Sequence, residues 1–112
     1  MKIAVVTDST AYLTKEELAE YGVYVLPMSV IFGQETYREE IDITAEEFYA
    51  KVKSSPVFPT STQPAVGETY ELFHELAKDY DAIIPITISS GISGTYQTCV
   101  AVAEDMKDEV AI

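Results

Sequence analysis

Ile88-Ser89-Ser90-Gly91-Ile92-Ser93-Gly94-Thr95-Tyr96 joins two segments of opposite character. Before it, Ala82-Ile83-Ile84-Pro85-Ile86-Thr87-Ile88 is apolar and reads as a strand; after it, Thr95 to Met106 reads as a helix. The stretch is therefore a strand-to-helix turn crowded with hydroxyls and small residues, the place where α/β folds put their chemistry. A turn that opens a helix presents unpaired backbone N–H groups at the positive end of the helix dipole, and glycine lets an anion approach that backbone closely. Carboxylate or phosphate is the expected guest. The alternative is a tight βα turn in which Ser93 or Thr95 merely caps its own helix.

Working outward, Ile3-Ala4-Val5-Val6-Thr7 is a short, almost wholly apolar run, as expected of a parallel strand buried on both faces, and Asp8-Ser9-Thr10 follows its C-terminal end. Thr14 with Glu17 forms a capping box for a helix from about Lys15 to Tyr21, and Gly22 stops it. Val23 to Leu26 reads as a second strand. After Pro27 and Met28, the runs Ser29 to Phe32 and Glu35 to Arg38 flank Gly33-Gln34 as a small hairpin would. A second capping box, Thr44 with Glu47, opens a helix over about Ala45 to Ser54 with Phe48 and Val52 on one face.

Pro56-Val57-Phe58-Pro59-Thr60-Ser61-Thr62-Gln63-Pro64 interrupts this pattern, since its prolines forbid a helix and hold the preceding residues extended. A stiff loop is expected. Thr60, Ser61 and Thr62 place three hydroxyls before a helix that Pro64 can begin, with Val66, Tyr70, Phe73, Leu76 and Ala77 as its buried stripe. Those hydroxyls either contribute to a site or cap that helix. Val110-Ala111-Ile112 begins one more strand. The expected fold is α/β, one domain over residues 1–112, with a parallel sheet flanked by helices and a small hairpin excursion. Ligands then bind beyond the carboxyl ends of the strands.

Composition narrows the function. The chain has 112 residues, 47% hydrophobic and 23% charged, enough for one domain with a core. Nothing resembles a membrane span, and Asp8 interrupts the N-terminal apolar run too early for a signal peptide, so the expected location is the cytoplasm. A formal charge of −12 repels nucleic-acid phosphates and anionic lipid surfaces. Cys99 is the only cysteine, which rules out a disulfide within the chain and a cysteine-based zinc site and reads as a buried small hydrophobe.

Enzyme motifs fit poorly. Gly91-Ile92-Ser93-Gly94-Thr95 approaches the nucleophile elbow of an α/β hydrolase, but Thr95 stands at its last glycine, and His74, the only histidine, lies inside a helix. Asp8-Ser9-Thr10 lacks the second aspartate of an aspartate-nucleophile phosphatase, and no phosphate-binding loop or dinucleotide fingerprint is present. Glu39-Glu40-Ile41-Asp42 has no defined ligand spacing; it is a loose cation site or a solvated acidic surface. No catalytic residue, metal or cofactor is expected.

Val6-Thr7-Asp8-Ser9-Thr10, Thr60-Ser61-Thr62-Gln63-Pro64 and Ile88 to Gln97, taken together and in this order, resemble the DegV family. The resemblance covers essentially the whole chain but only the N-terminal domain of the family, whose full members continue with a second α/β domain; it implies a truncated chain here. It further implies a non-catalytic protein that holds a long-chain fatty acid, carboxylate at the mouth of a cleft and acyl tail in an apolar tunnel. The fatty acid would be presented to a separate fatty acid kinase. Carried over by motif, Ser93 with Gly94 and Ser61 with Thr62 would contact the carboxylate. The proline loop departs from the family's common Thr-Ser-Gln-Pro-Ser, reading Ser61-Thr62-Gln63-Pro64-Ala65, yet keeps a hydroxyl at both exchanged positions.

Overall fold

The computed structural model describes all 112 residues. Along the chain run β1 (Ile3–Asp8), a 3-10 turn (Ser9–Ala11), α1 (Lys15–Tyr21), β2 (Val23–Leu26), β3 (Ser29–Phe32), β4 (Glu35–Arg38), α2 (Ala45–Ser54), β5 (Thr60–Thr62), α3 (Val66–Ala77), β6 (Ala82–Ile86) and α4 (Thr95–Asp105). Two sheets result. The first is parallel, order β2-β1-β6, with Val5 opposite Val23 on one side and opposite Ile84 on the other. The second is antiparallel, order β4-β3-β5.

Local chemistry accounts for the element ends. Thr14 and Thr44 each accept from the backbone N–H three residues on, while Glu17 and Glu47 return the bond to the cap residue's own N–H, so both capping boxes are formed. Gly22 closes α1 at φ +64, a left-handed conformation that glycine takes without a Cβ penalty. Gly33, at φ +65, occupies the first central position of the two-residue β3–β4 loop, as a type II′ turn requires.

Ala4, Val6, Leu26 and Ile83 point from the parallel sheet into one core with Phe73 and Leu76 of α3 and Cys99 and Val102 of α4. A smaller cluster, Val30, Phe32 and Ile43, lies on the second sheet under Phe48 and Val52 of α2. Ala111 bridges to Ala82, so the C-terminal residues do begin a strand beside β6.

Four expectations change. β1 alternates instead of being buried on both faces: Ala4, Val6 and Asp8 are buried and Ile3 is exposed, because α3 and α4 share the face that Ala4 and Val6 project from. β6 ends at Ile86, leaving Thr87 and Ile88 to the turn. Thr60–Thr62 is not a loop but an edge strand paired with β3, for which the extended geometry imposed around the prolines is already suited. α3 starts at Val66 rather than Pro64, and Val66 is 56% exposed while Thr69 takes its place inside, its hydroxyl satisfied by the Ala65 carbonyl at 3.1 Å.

Phe73, fully buried at the centre of the larger cluster, should lose about 3–5 kcal/mol of stability as Phe73→Ala, whereas Val66→Ala should stay within about 0.5 kcal/mol. Urea unfolding of both variants would check the reassigned stripe.

Candidate functional site

The C-terminal ends of β1 and β6 are held together by Asp8. This carboxylate is 1% exposed and has no cationic partner, yet it accepts from the Ile88 N–H on one oxygen (2.7 Å) and from the Thr10 N–H on the other (2.9 Å), with the Thr10 hydroxyl as a third donor. A buried carboxylate is tolerable only when its lone pairs are used in this way. Next to it, Ser9 Oγ accepts from the Met28 N–H at 2.9 Å, tying the same segment to the entry of β3. Asp8-Ser9-Thr10 thus fastens the start of the central turn and the start of the second sheet to β1.

Beyond Ile88, Ser89 organises the turn. Its carbonyl accepts from Ile92 and Ser93, and its hydroxyl accepts from the Gly91 N–H at 3.1 Å. Ser93 Oγ lies 2.9 Å from Thr95 Oγ1 and accepts weakly from the Thr95 N–H at 3.3 Å. The cap position of α4 itself belongs to Gly94, with no side-chain cap bond. Ser93 therefore closes a local serine turn in place of the usual cap. The Ser93 N–H is spent on Ser89, while the N–H of Gly94 has no acceptor in the chain. A donor pair made of the Ser93 hydroxyl and the Gly94 N–H stands at the positive end of α4.

Ser61 and Thr62 do not cap α3, whose cap residue Ala65 makes no side-chain bond. In β5, Ser61 pairs with Val30 and Thr62 with Ser29. All four residues, Ser61, Thr62, Ser93 and Gly94, line one groove of about 760 Å³ at the seam between the sheets. Its floor is apolar, formed by Met28, Val30, Ile43, Phe48 and Val52, and Tyr12 and Phe58 stand almost fully exposed at its mouth. That is an amphipathic cleft within the size range of small-molecule sites: half of its lining is hydrophobic, and the polar half includes Thr10, Thr44 and Thr60 and the carboxylates of Glu39 and Glu40 besides the four residues above.

Other candidates fall elsewhere. His74 Nδ1 lies 3.2 Å from Glu109, and the imidazole is not part of the groove wall. Cys99 is buried in the core, and burial, followed by the charge of Asp8, pushes its thiol up to about 11. Asp42 is engaged by Arg38 at 2.9 Å, which holds its carboxyl below the usual range. Glu39 and Glu40 lie along the groove, but no three acidic, histidine or cysteine side chains gather into a metal-binding group. No helix is long and apolar enough to cross a membrane. Sequence reasoning missed the role of Asp8 and of Gln63, whose Nε2 donates to Thr98 Oγ1 at 3.0 Å. A lone aspartate just after a buried strand was the available signal for the first; the second depends on a contact across 35 residues.

The family model for DegV matches residues 2–112. The chain belongs to the DegV family. It is 47% identical over 112 residues to protein DegV of Bacillus subtilis, a match that takes in all of this chain and 40% of that protein. The crystal structure of that DegV, described as a fatty acid binding protein, superposes with a TM-score of 0.93 over 99% of this chain and 39% of its own. A Thermus thermophilus DegV family protein described for its fatty acid binding is 32% identical, with a TM-score of 0.86, 99% of this chain and 40% of that one being covered. The chain thus spans about 40% of the length of such DegV relatives.

In Asp8→Asn a single amide oxygen must serve donors that now reach two carboxylate oxygens, so at least one of the Thr10 and Ile88 bonds is lost. The expected loss is about 1–3 kcal/mol in urea unfolding, the cost of leaving a buried donor unsatisfied.

Proposed function

We propose that this chain holds the carboxylate of a long-chain fatty acid between the Ser93 hydroxyl, the Gly94 N–H and the hydroxyls of Ser61 and Thr62. The first part of the acyl chain lies on the apolar floor formed by Met28, Val30 and Phe48. The observation that carries this reading is the gathering of those four residues on one groove that also carries the apolar side chains of Met28, Val30, Ile43, Phe48 and Val52. Family membership adds to it, since similar DegV proteins are described as fatty acid binding. The protein acts without chemistry of its own, in the cytoplasm, and presents its ligand to a separate fatty acid kinase, as the resemblance implies. Binding is favoured over ester cleavage by Ser93 because the nearest partner of its hydroxyl is Thr95, while His74 pairs with Glu109.

Removing a donor to a carboxylate in a desolvated site costs about 1.5–3 kcal/mol, or roughly tenfold or more in affinity. In the full-length protein, Ser93→Ala should therefore weaken fatty acid binding by about that factor, with Ser61→Ala and Thr62→Ala following the same pattern. The methyl ester of the acid should bind poorly to wild type and respond little to the substitutions. Wild-type affinity for the acid in Ser93→Ala, with only the melting temperature lowered, would leave Ser93 as a turn residue and nothing more. Nitrophenyl ester turnover that vanishes in the same variant would instead make it a nucleophile.

The reading also assigns the rest of the acyl tail to a wall supplied by a second domain. Burial contributes on the order of 25 cal/mol per Å² of apolar surface, so one wall without the other forfeits much of the affinity. Calorimetry should find residues 1–112 binding a long-chain acid far more weakly than a full-length family member; equal affinities would place the whole site in this domain.

A further inference from the structure

Ser61 and Thr62 lie on β5 of the second sheet and Ser93 and Gly94 in the turn that follows β6 of the first, and no backbone ladder joins the two sheets. One hydrogen bond links residues 60–63 to the start of α4, from Gln63 Nε2 to Thr98 Oγ1 at 3.0 Å. Gln63 follows Thr62 directly and precedes Pro64, which is buried and restricts it to extended backbone, so the side chain leaves β5 in a fixed direction. Its amide comes to rest against Gly94. A Cβ built on Gly94 would lie 1.8 Å from Gln63 Oε1 and 2.8 Å from its Cδ.

That contact explains the glycine. Gly94 has φ −78 and ψ 2, angles open to any residue, so its backbone does not call for glycine. The missing side chain is the space that the Gln63 amide occupies. Thr98 lies one helical turn on, its N–H bonded to the Gly94 carbonyl at 3.0 Å, and is buried. The amide is thus clamped between two residues of the first turn of α4, with one of its two N–H donors bonded to Thr98.

We infer that Gln63 is a positioning residue, a latch that sets the separation between the Ser61 and Thr62 hydroxyls on β5 and the Ser93–Gly94 donors on α4 so that both sets face one carboxylate. The inference rests on the fatty-acid reading of the site. Three substitutions undo the latch by different routes: Gln63→Met removes the amide, Thr98→Val removes its acceptor, and Gly94→Ala keeps the N–H of residue 94 but displaces the amide with a methyl group.

Palmitate affinity is measured by calorimetry in the full-length protein. Gln63→Met and Thr98→Val should each weaken binding by about tenfold, and the double variant should be no weaker than either single one, because they break the same bond. Gly94→Ala should match them. Ser61→Ala should cost less in the Gln63→Met background than in wild type, since the half-sites no longer converge. Wild-type affinity in Gln63→Met, or simple addition of the Gln63 and Thr98 effects, would overturn the latch. Amide hydrogen exchange of the ligand-free protein gives a second reading that does not depend on any ligand: Gln63→Met should speed exchange at the Thr98 amide and leave Val6 in β1 unchanged. Unchanged exchange at Thr98 would count against the latch as well. A wild type that binds no palmitate would sink the fatty-acid reading, and the exchange result would then decide the latch by itself.

Discussion

The Asp8 carboxylate, buried without a cation at the end of β1, is the constraint from which the rest of the site follows. Its oxygens must be satisfied inside the protein, and the donors that satisfy them come from the 3-10 turn after β1 and from Ile88, near the start of the β6–α4 turn. Two strand ends are therefore bound to one side chain. Because Ser9 next to it accepts from Met28, the second sheet is referred to the same point. The central turn and the hairpin sheet are placed relative to each other by polar contacts at the strand ends, and Asp8 ends the same face of β1 from which Ala4 and Val6 enter the hydrophobic core under α3 and α4.

On the proposed reading, a site built this way meets a carboxylate without a positive charge. The chain is strongly acidic, and none of its lysines or arginines lines the groove; the donors are hydroxyls and a helix-terminal N–H. Such donors favour a carboxylate by orientation and by the α4 dipole, and are weaker individually than an arginine fork. Their mutual placement then matters more than their number. The seam between the sheets is where that placement is set, and it is spanned by Gln63 and the space left at Gly94.

Much of the fold was legible because the signals were local. Both capping boxes, the stop at Gly22, the turn at Gly33 and the alternation of strands with helices each depend on residues within a few positions of one another. Errors arose where a neighbour distant in sequence decided the outcome. Thr60 to Thr62 is a strand because β3 offers an edge to pair with, and a proline-rich sequence cannot announce its partner. Val66 is outside and Thr69 inside because the face of α3 that meets the core is chosen by the sheet, and a threonine can be buried once its hydroxyl bonds its own helix.

At the site, the hydroxyl-rich segments and their family resemblance were readable from the residues themselves, and so were Ser61, Thr62, Ser93 and Gly94 as candidates. Sequence alone determined which chemistry was on offer: neutral donors around a helix start, no fitting catalytic motif and an acidic surface. The tertiary structure decided how that chemistry is arranged. It showed that Ser93 spends its N–H on Ser89 while Gly94 keeps its own free, and that Gly94 is small to admit Gln63. It also brought two sheets together over one groove. The reason is physical: caps and turns are satisfied within a few residues of the same segment, whereas a buried carboxylate, an edge strand and an interlocking amide find their partners tens of residues away, where only the folded chain brings them into reach.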